Sequence, residues 1–385
     1  MHKRHVIFYT LLRPIVGAFL FLRFGYRYKK AKNLPDTYIV LSNHVTDYDP
    51  LFVGVSFPRH MYFVASEHIS RWKTAYKLIQ YFLKPIMRPK GTTASSTVME
   101  MIKTLRSGTN VCLYPEGARS WDGVTAPILA STGKMVKSAK CGMVTYRIEG
   151  GYFVSPNWSF GNSRMGPVRG GVVNVYTAEQ IAAMSVDEIN EAITTDLHED
   201  AYERQLAAPK KYRGKNLAQC LEHMISHCPE CNAIDTLKSE GNTITCRQCG
   251  HTFSYDEYGM LSGTTYTTVK DLFTWQKEQI EKDAANHAAY TATGGTLTTV
   301  ANGAEQPVGE GAVSLNKEEL TCGDTAIKIH DITDMAMHGR RTLVFSTAKD
   351  YYELIPSAEA NVLKFHMLYQ MYKNGKIDHY NGRTR

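Results

Sequence analysis

The first 32 residues contain no aspartate or glutamate, although they carry eight basic side chains: Lys3, Arg4, Arg13, Arg23, Arg27, Lys29, Lys30 and Lys32. The whole chain has a formal charge of +7, so everything after residue 32 is close to neutral. A near-neutral body excludes a basic groove of the kind nucleic acids need, and a basic, aromatic start points to an anionic membrane surface. An unbroken apolar run is also lacking. Val6 to Phe24 is apolar, but Arg13 and Pro14 divide it, and neither half reaches the roughly 20 residues that cross a bilayer. No small-x-small cleavage site follows, which excludes a secretory signal. Phe8, Tyr9, Phe19, Phe21, Phe24, Tyr26 and Tyr28 alternate with the cations, as in a segment lying in the interface. Residues 1–32 are therefore expected to form an amphipathic membrane-interface segment, monotopic and on the cytoplasmic face. No internal repeat is visible. Cysteine is scarce apart from two CxxC pairs, which excludes a disulfide framework and suits a reducing compartment.

What is present is enough chain for two or three domains, 385 residues with 43% apolar, which can build a sizeable core. Three apolar runs end in polar loops: Tyr38–Leu41 into Ser42-Asn43-His44, Val111–Tyr114 into Pro115-Glu116-Gly117, and Met143–Tyr146 into Glu149-Gly150-Gly151. Met61–Ala65 is a fourth strand candidate, and helical patterns such as Ser96–Arg106 lie between them. This alternation predicts an α/β fold with a mostly parallel sheet flanked by helices. In such sheets functional loops gather beyond the carboxyl ends of the strands, so motifs distant in sequence converge there. A helix-rich stretch follows, with Ser185-Val-Asp-Glu188 as a cap. Next comes a cysteine module, residues 214–262. Residues 284–310, rich in Ala, Thr and Gly, read as a flexible linker. Residues 311–376 read as short strands ending in a helix with Val362, Phe365, Leu368 and Tyr372 on one face and Gly375 as its stop. A small β-rich domain with a terminal helix looks like a pleckstrin-homology-type module.

Esterifying an alcohol requires its proton to leave as it attacks an acyl carbonyl, and a neutral imidazole is the usual base. That imidazole needs a carboxylate to fix its tautomer and stabilise the imidazolium. Asn43-His44-Val-Thr-Asp-Tyr-Asp49-Pro50 supplies both groups across a strand-to-helix turn. The spacing alone is not specific, because His251 and Asp256 repeat it inside the cysteine module, where it reads as accidental. His44 and Asp49 differ through their companions: Asn43, Pro50, a strand in front, and a second motif, Tyr114-Pro115-Glu116-Gly117-Ala118-Arg119-Ser120.

Together the two motifs resemble those of the glycerolipid acyltransferase superfamily, which includes 1-acylglycerol-3-phosphate acyltransferases and carries NHxxxxD followed by a PEGTRS-like loop. The resemblance covers about residues 1–210, so that an acyltransferase domain is expected over residues 33–213. It implies an acyl-CoA or acyl-carrier-protein donor, no metal in catalysis, His44 as general base and Asp49 as its orienter. It also implies that Glu116 and Gly117 line the acceptor site, and that Arg119 grips the acceptor phosphate, a task a guanidinium performs through two parallel hydrogen bonds. Arg88 resembles the arginine that ends the family's intermediate motif, with Lys90 beside it. Two departures stand out. The PEGTRS threonine is Ala118 here, and the proline usual near Val144-Thr145 is absent. The implied reaction is acyl transfer to 1-acyl-sn-glycerol 3-phosphate, giving phosphatidic acid. Glycerol 3-phosphate or another lysophospholipid is the alternative acceptor.

Cys228-Pro-Glu-Cys231 and Cys246-Arg-Gln-Cys249 lie 14 residues apart, and two such knuckles supply the tetrahedral thiolate set of a structural zinc ribbon. With four protein ligands the zinc would be structural. His223 and His227, just upstream, read as helical-surface residues and not as ligands. A competing reading of another class follows from the two C-terminal modules: a membrane-associated zinc-ribbon adaptor with a vestigial catalytic domain. The intact set His44, Asp49, Glu116 and Arg119 argues against decay.

Overall fold

A computed structural model describes residues 3–66, 74–88, 95–301 and 304–377. The chain forms two compact units. The first comprises residues 1–156 and 164–213; the second comprises residues 157–163 and 214–385.

The first unit is built on seven strands: β1 (Arg27–Tyr28), β2 (Tyr38–Ser42), β3 (Met61–Ser66), β4 (Ile86–Arg88), β5 (Asn110–Leu113), β6 (Gly142–Glu149) and β7 (Arg169–Tyr176). Their order in the sheet is β1-β7-β6-β2-β5-β3-β4. Strands β2 to β6 run parallel; β7 is antiparallel to β6, and β1 is parallel to β7. This is the expected mostly parallel α/β arrangement. β2 lies in the middle and buries all five of its residues, which is why it is an unbroken apolar run and not an alternating one. Leu41 pairs with Leu113, so β2 and β5 end side by side and their following loops leave the same sheet edge about 5 Å apart.

The helices of this unit are α1 (Lys3–Phe24), α2 (Asp49–Ser56), α3 (Thr74–Phe82), α4 (Ser95–Arg106), α5 (Ser131–Ala139), α6 (Gly151–Val154), α7 (Ala178–Ala183), α8 (Val186–Leu197) and α9 (Ala201–Ala207). Ile39, Leu41, Val111 and Met143 from the sheet pack with Met135 and Val136 of α5 and Ile189 and Ile193 of α8. The cap expected for α8 is present: the Glu188 amide donates to Ser185 Oγ at 3.1 Å, and the Ser185 amide donates to Glu188 Oε2 at 2.6 Å.

The expectation that Arg13 and Pro14 divide the N-terminal segment is corrected. α1 runs unbroken through Pro14 for 22 residues, about 33 Å, and is long and apolar enough to cross a membrane by length and composition. Tertiary contacts outweigh the single hydrogen bond that Pro14 removes. Arg13 donates to Phe57 O at 2.8 Å, Tyr9 OH donates to the same carbonyl at 3.0 Å, and His5, Leu20 and Phe24 are buried. The opposite face leaves Ile7, Leu11, Ile15, Phe19 and Leu22 exposed at helical spacing.

The second unit begins with a four-stranded antiparallel sheet of β8 (Leu237–Glu240), β9 (Thr243–Cys246), β10 (Thr252–Tyr255) and β11 (Leu261–Ser262). Helix α10 (Val269–Ala285) follows, and then β12 (Tyr290–Ala292), β13 (Gly295–Ala301), β14 (Ala304–Glu310), β15 (Val313–Leu315), β16 (Glu319–Cys322), β17 (Thr325–Lys328), β18 (Asp334–His338), β19 (Thr342–Ser346), β20 (Tyr351–Pro356) and α11 (Val362–Asn374). Two antiparallel sheets result, ordered β12-β15-β16-β17 and β14-β13-β20-β19-β18.

The linker expected over residues 284–310 is therefore overturned. β12, β13 and β14 occupy it, and β13 is a central strand. Thr-rich segments satisfy strand geometry with few large apolar residues, because β13 buries Leu297 and borrows its partners from β20. α11 also differs from its one-faced expectation. Val362 to Gln370 are all buried, Lys364 and His366 included, because the helix is enclosed by β12, β15, β18 and α10. Lys364 is matched by an ion pair with Asp235 and donates to Thr291 O at 3.0 Å. Gly375 does end the helix, at φ 74°.

Candidate active site

The loop after β2 is folded around one carboxylate. Asp49 is fully buried at the first position of α2. Its Oδ2 accepts His44 Nδ1–H at 2.7 Å, the Val45 amide at 2.7 Å and the Thr46 amide at 3.0 Å, while its Oδ1 accepts Thr46 Oγ at 2.7 Å. A carboxylate has no proton to give, so His44 must donate from Nδ1. Nε2 is then left with its lone pair, in a side chain that is 22% exposed. The imidazole is thus oriented to accept a proton at Nε2, and Asp49 is placed to stabilise the charge that results. Tyr114 lies under the ring, with centroids 4.4 Å apart and planes 20° from parallel.

Two neighbouring elements hold the His44 backbone. Asn43 Nδ2 donates to Ile148 O at 2.9 Å and Asn43 Oδ1 accepts the Ile148 amide at 2.8 Å, so this side chain extends the β2–β6 pairing by one step. Gly151, at the start of α6, lets that element pack closely on the loop, since an added Cβ would lie 2.5 Å from a Val45 methyl and force it to shift. Sequence reasoning named Asn43 only as a companion and gave Gly151 no role. The reciprocal geometry of Asn43 depends on β6, about 100 residues away, and no local pattern carries it.

The second motif grips His44 from the other side. The His44 amide donates to Glu116 Oε1 at 2.6 Å, the Ala126 amide donates to Glu116 Oε2 at 2.7 Å, and the Ser120 amide donates to His44 O at 3.0 Å. Glu116 is only 2% exposed, and burial pushes its carboxyl up to about 8 against the pull of the two amide donors. Both Glu116 oxygens accept backbone amides and so tie the His44 loop to the PEGARS loop, a bracing role beside the acceptor-site place the resemblance implies. Gly117 is exposed in the turn that follows, at φ 79°, with open space where a Cβ would project.

Arg119 is 11% exposed and lies 3.1 Å from Asp47, which is 69% exposed. The guanidinium is thus one residue from the Ser120 amide that touches His44. Arg88 ends β4 on the same carboxyl edge of the sheet, two strands or about 10 Å from β5. Lys90 lies outside the described residues. The accidental copy of the motif does not assemble: Asp256 Oδ1 accepts the Tyr258 and Met260 amides, each at 2.9 Å.

In the second unit the sulfurs of Cys228, Cys231, Cys246 and Cys249 all lie within 4.8 Å of one another. The Cys228–Cys249 and Cys231–Cys246 distances are both 3.8 Å, far longer than a disulfide. Sulfurs placed tetrahedrally at about 2.3 Å from an ion are themselves about 3.8 Å apart, so these four fit a zinc-sized tetrathiolate site. The two knuckles are copies of each other. The Asn232 amide donates to Cys228 O at 2.9 Å and the Gly250 amide to Cys246 O at 3.0 Å. Asn232 and Gly250 both adopt positive φ, 57° and 76°, the conformation their residue types tolerate best. Burial works against ionising Cys246, but hydrogen bonds from Thr236 and from the Cys249 and Gln248 amides pull the thiol down to about 6. His227 is not on a helix surface, as expected, but fully buried between Ser226 Oγ at 2.9 Å and Asp283 Oδ2 at 3.1 Å. Neither it nor His223 belongs to the cysteine set.

Residues 26–149 match the family model described as Acyltransferase. No curated protein matches the chain. Among solved structures, the crystal structure of the 1-acyl-sn-glycerophosphate (LPA) acyltransferase PlsC from Thermotoga maritima is similar over 52% of this chain and 80% of its own length, with a TM-score of 0.43 and 17% sequence identity.

Proposed function

We propose a function from the premise that residues 26–149 are an acyltransferase domain of the glycerolipid acyltransferase superfamily: the protein transfers a fatty acyl group from acyl-CoA or acyl-carrier protein to the free hydroxyl of 1-acyl-sn-glycerol 3-phosphate. The observation that carries this reading is the His44–Asp49 pair, 2.7 Å apart and held at the His44 backbone by Glu116 and Ser120 of the second motif. His44 Nε2 takes the hydroxyl proton as the oxygen attacks the thioester carbonyl. The imidazolium, stabilised by Asp49, then returns the proton to the departing thiolate. Arg119 takes the acceptor phosphate, with Arg88, on the same carboxyl edge of the sheet, as a further cation, and Lys90 as another by its place in the sequence.

The exposed apolar ridge of α1 supports a monotopic seat in the cytoplasmic face of a membrane, because its other face is committed to the domain. Cys228, Cys231, Cys246 and Cys249 hold a structural zinc in this reading, and the reaction itself uses no metal. The strands around residues 311–376, closed by α11, support a pleckstrin-homology-like module that begins upstream, at β12.

A second acceptor, a lysophospholipid with a larger head group, is favoured by one observation: the carboxylate of Asp47 is paired with Arg119. Incubation with isotope-labelled acyl-CoA and a panel of acceptors, read by mass spectrometry, tests the reading. Labelled phosphatidic acid is the expected product. Label in no glycerolipid from any acceptor would sink it.

A further inference from the structure

Three carboxylates lie in the two motif loops, and the structure divides them by task. Asp49 and Glu116 are buried, and each accepts hydrogen bonds that build the catalytic loop. Asp47, on the same loop, instead faces solvent and sits 3.1 Å from the largely buried guanidinium of Arg119. Resting on the phosphate-acceptor site above and on its second acceptor, the lysophospholipid with a larger head group, we propose that Asp47 is a specificity-determining residue: it biases the acceptor site against phosphate monoesters and towards phosphodiesters whose head group carries an ammonium.

The bias is electrostatic. A phosphate monoester carries between one and two negative charges near neutral pH, its second pKa being about 6. Docked on Arg119, it brings that charge beside a fixed carboxylate. A phosphodiester brings a single charge, and an ammonium on its far side can meet Asp47 while the phosphate meets Arg119. The pair then receives a zwitterion with both partners matched. Arg119 would fix where the phosphate sits, and Asp47 would decide what else the head group must carry. The repulsive element is as much a part of such discrimination as the attractive one. Because Asp47 is 69% exposed, replacing it removes the charge without opening the core, and the variant is expected to fold.

The test compares wild type with Asp47→Asn on three lysophospholipids sharing one acyl chain: the phosphate monoester, the ethanolamine phosphodiester and the glycerol phosphodiester. The expected result is a shift of about tenfold in the kcat/KM ratio of monoester to ethanolamine diester, towards the monoester, in Asp47→Asn. The shift should lie in KM, shrink as salt is raised and place the glycerol diester between the other two. An unchanged ratio overturns the proposal. So does an equal fall in kcat for all three acceptors, which would make Asp47 a holder of the His44 loop. Wild type that acylates a neutral monoacylglycerol but none of the three would sink the phosphate-acceptor reading itself, a result distinct from an unchanged ratio in an active enzyme.

Discussion

In the proposed reaction His44 acts as the base, and Asp49 decides which of its nitrogens is free. Replacing it with alanine is expected to lower acyl transfer by roughly 10²–10⁴-fold with the fold intact, as measured by initial rates alongside thermal unfolding. Asp49→Asn should cost nearly as much, since an amide no longer fixes the imidazole tautomer. Glu116 gives a different signature. Glu116→Gln turns a hydrogen-bond donor towards one of two amides that now donate to it, so kcat should fall while the KM of a phosphate-bearing acceptor holds. Arg119→Ala should do the reverse, raising that KM by roughly 10–150-fold. A raised acceptor KM in Glu116→Gln would put that residue in the acceptor pocket as well. Glu116 also has a pH signature. Its folded-state pKa is raised to about 8, so its contribution to stability is fully present below about 4.5 and is lost as pH rises towards 8. The unfolding temperature of wild type relative to Glu116→Gln should therefore decline across that window, and a flat difference would show that the carboxyl titrates normally.

At the scale of elements, what was legible had its cause nearby. β2 shows as four consecutive apolar residues because it is covered on both faces, and the α8 cap shows because Ser185 and Glu188 bond each other within one turn. The His44–Asp49 pair shows for the same reason, being closed by five residues of chain. The misread elements owe their form to distant partners. α1 continues through Pro14 because Phe57 O takes Arg13, and β13 forms in a Thr-rich stretch because β20 pairs with it. The bracing role of Glu116 carries no sequence signal because its partners, the His44 and Ala126 amides, are set by folding and carry no sequence identity. The correction to α1 changes how a membrane role is tested. Deleting the helix would uncover Phe52, which packs on Phe24, as well as remove the proposed anchor. Leu11→Lys with Leu22→Lys alters only the exposed ridge. If the ridge seats in lipid, each leucine contributes about 1.5–3 kcal/mol, and the double variant should leave anionic vesicles in co-sedimentation. Unchanged binding would place the contact elsewhere.

At the scale of the whole molecule, the chain leaves the acyltransferase unit twice, at residues 157–163 and again at Gly214. Trp158 is buried against Tyr255, with ring centroids 5.4 Å apart, so a chain cut after Arg213 would strand a tryptophan. The zinc reading is better tested in the intact protein. One zinc per chain is expected, and a strong chelator should lower the unfolding temperature through residues near 228–249, because metal binding supplies folding free energy in small cysteine modules. Loss of all four thiolates' metal without any change in unfolding would contradict a structural role. The central claim is narrower than this architecture: an oriented imidazole, braced by the second motif, moves an acyl group onto a phosphate-bearing glycerolipid. It is tested most directly by supplying labelled acyl-CoA and 1-acyl-sn-glycerol 3-phosphate to wild type and to His44→Ala and measuring labelled phosphatidic acid. The account predicts product from wild type and a loss of at least about a hundredfold in the folded variant. Equal product from both proteins would contradict it.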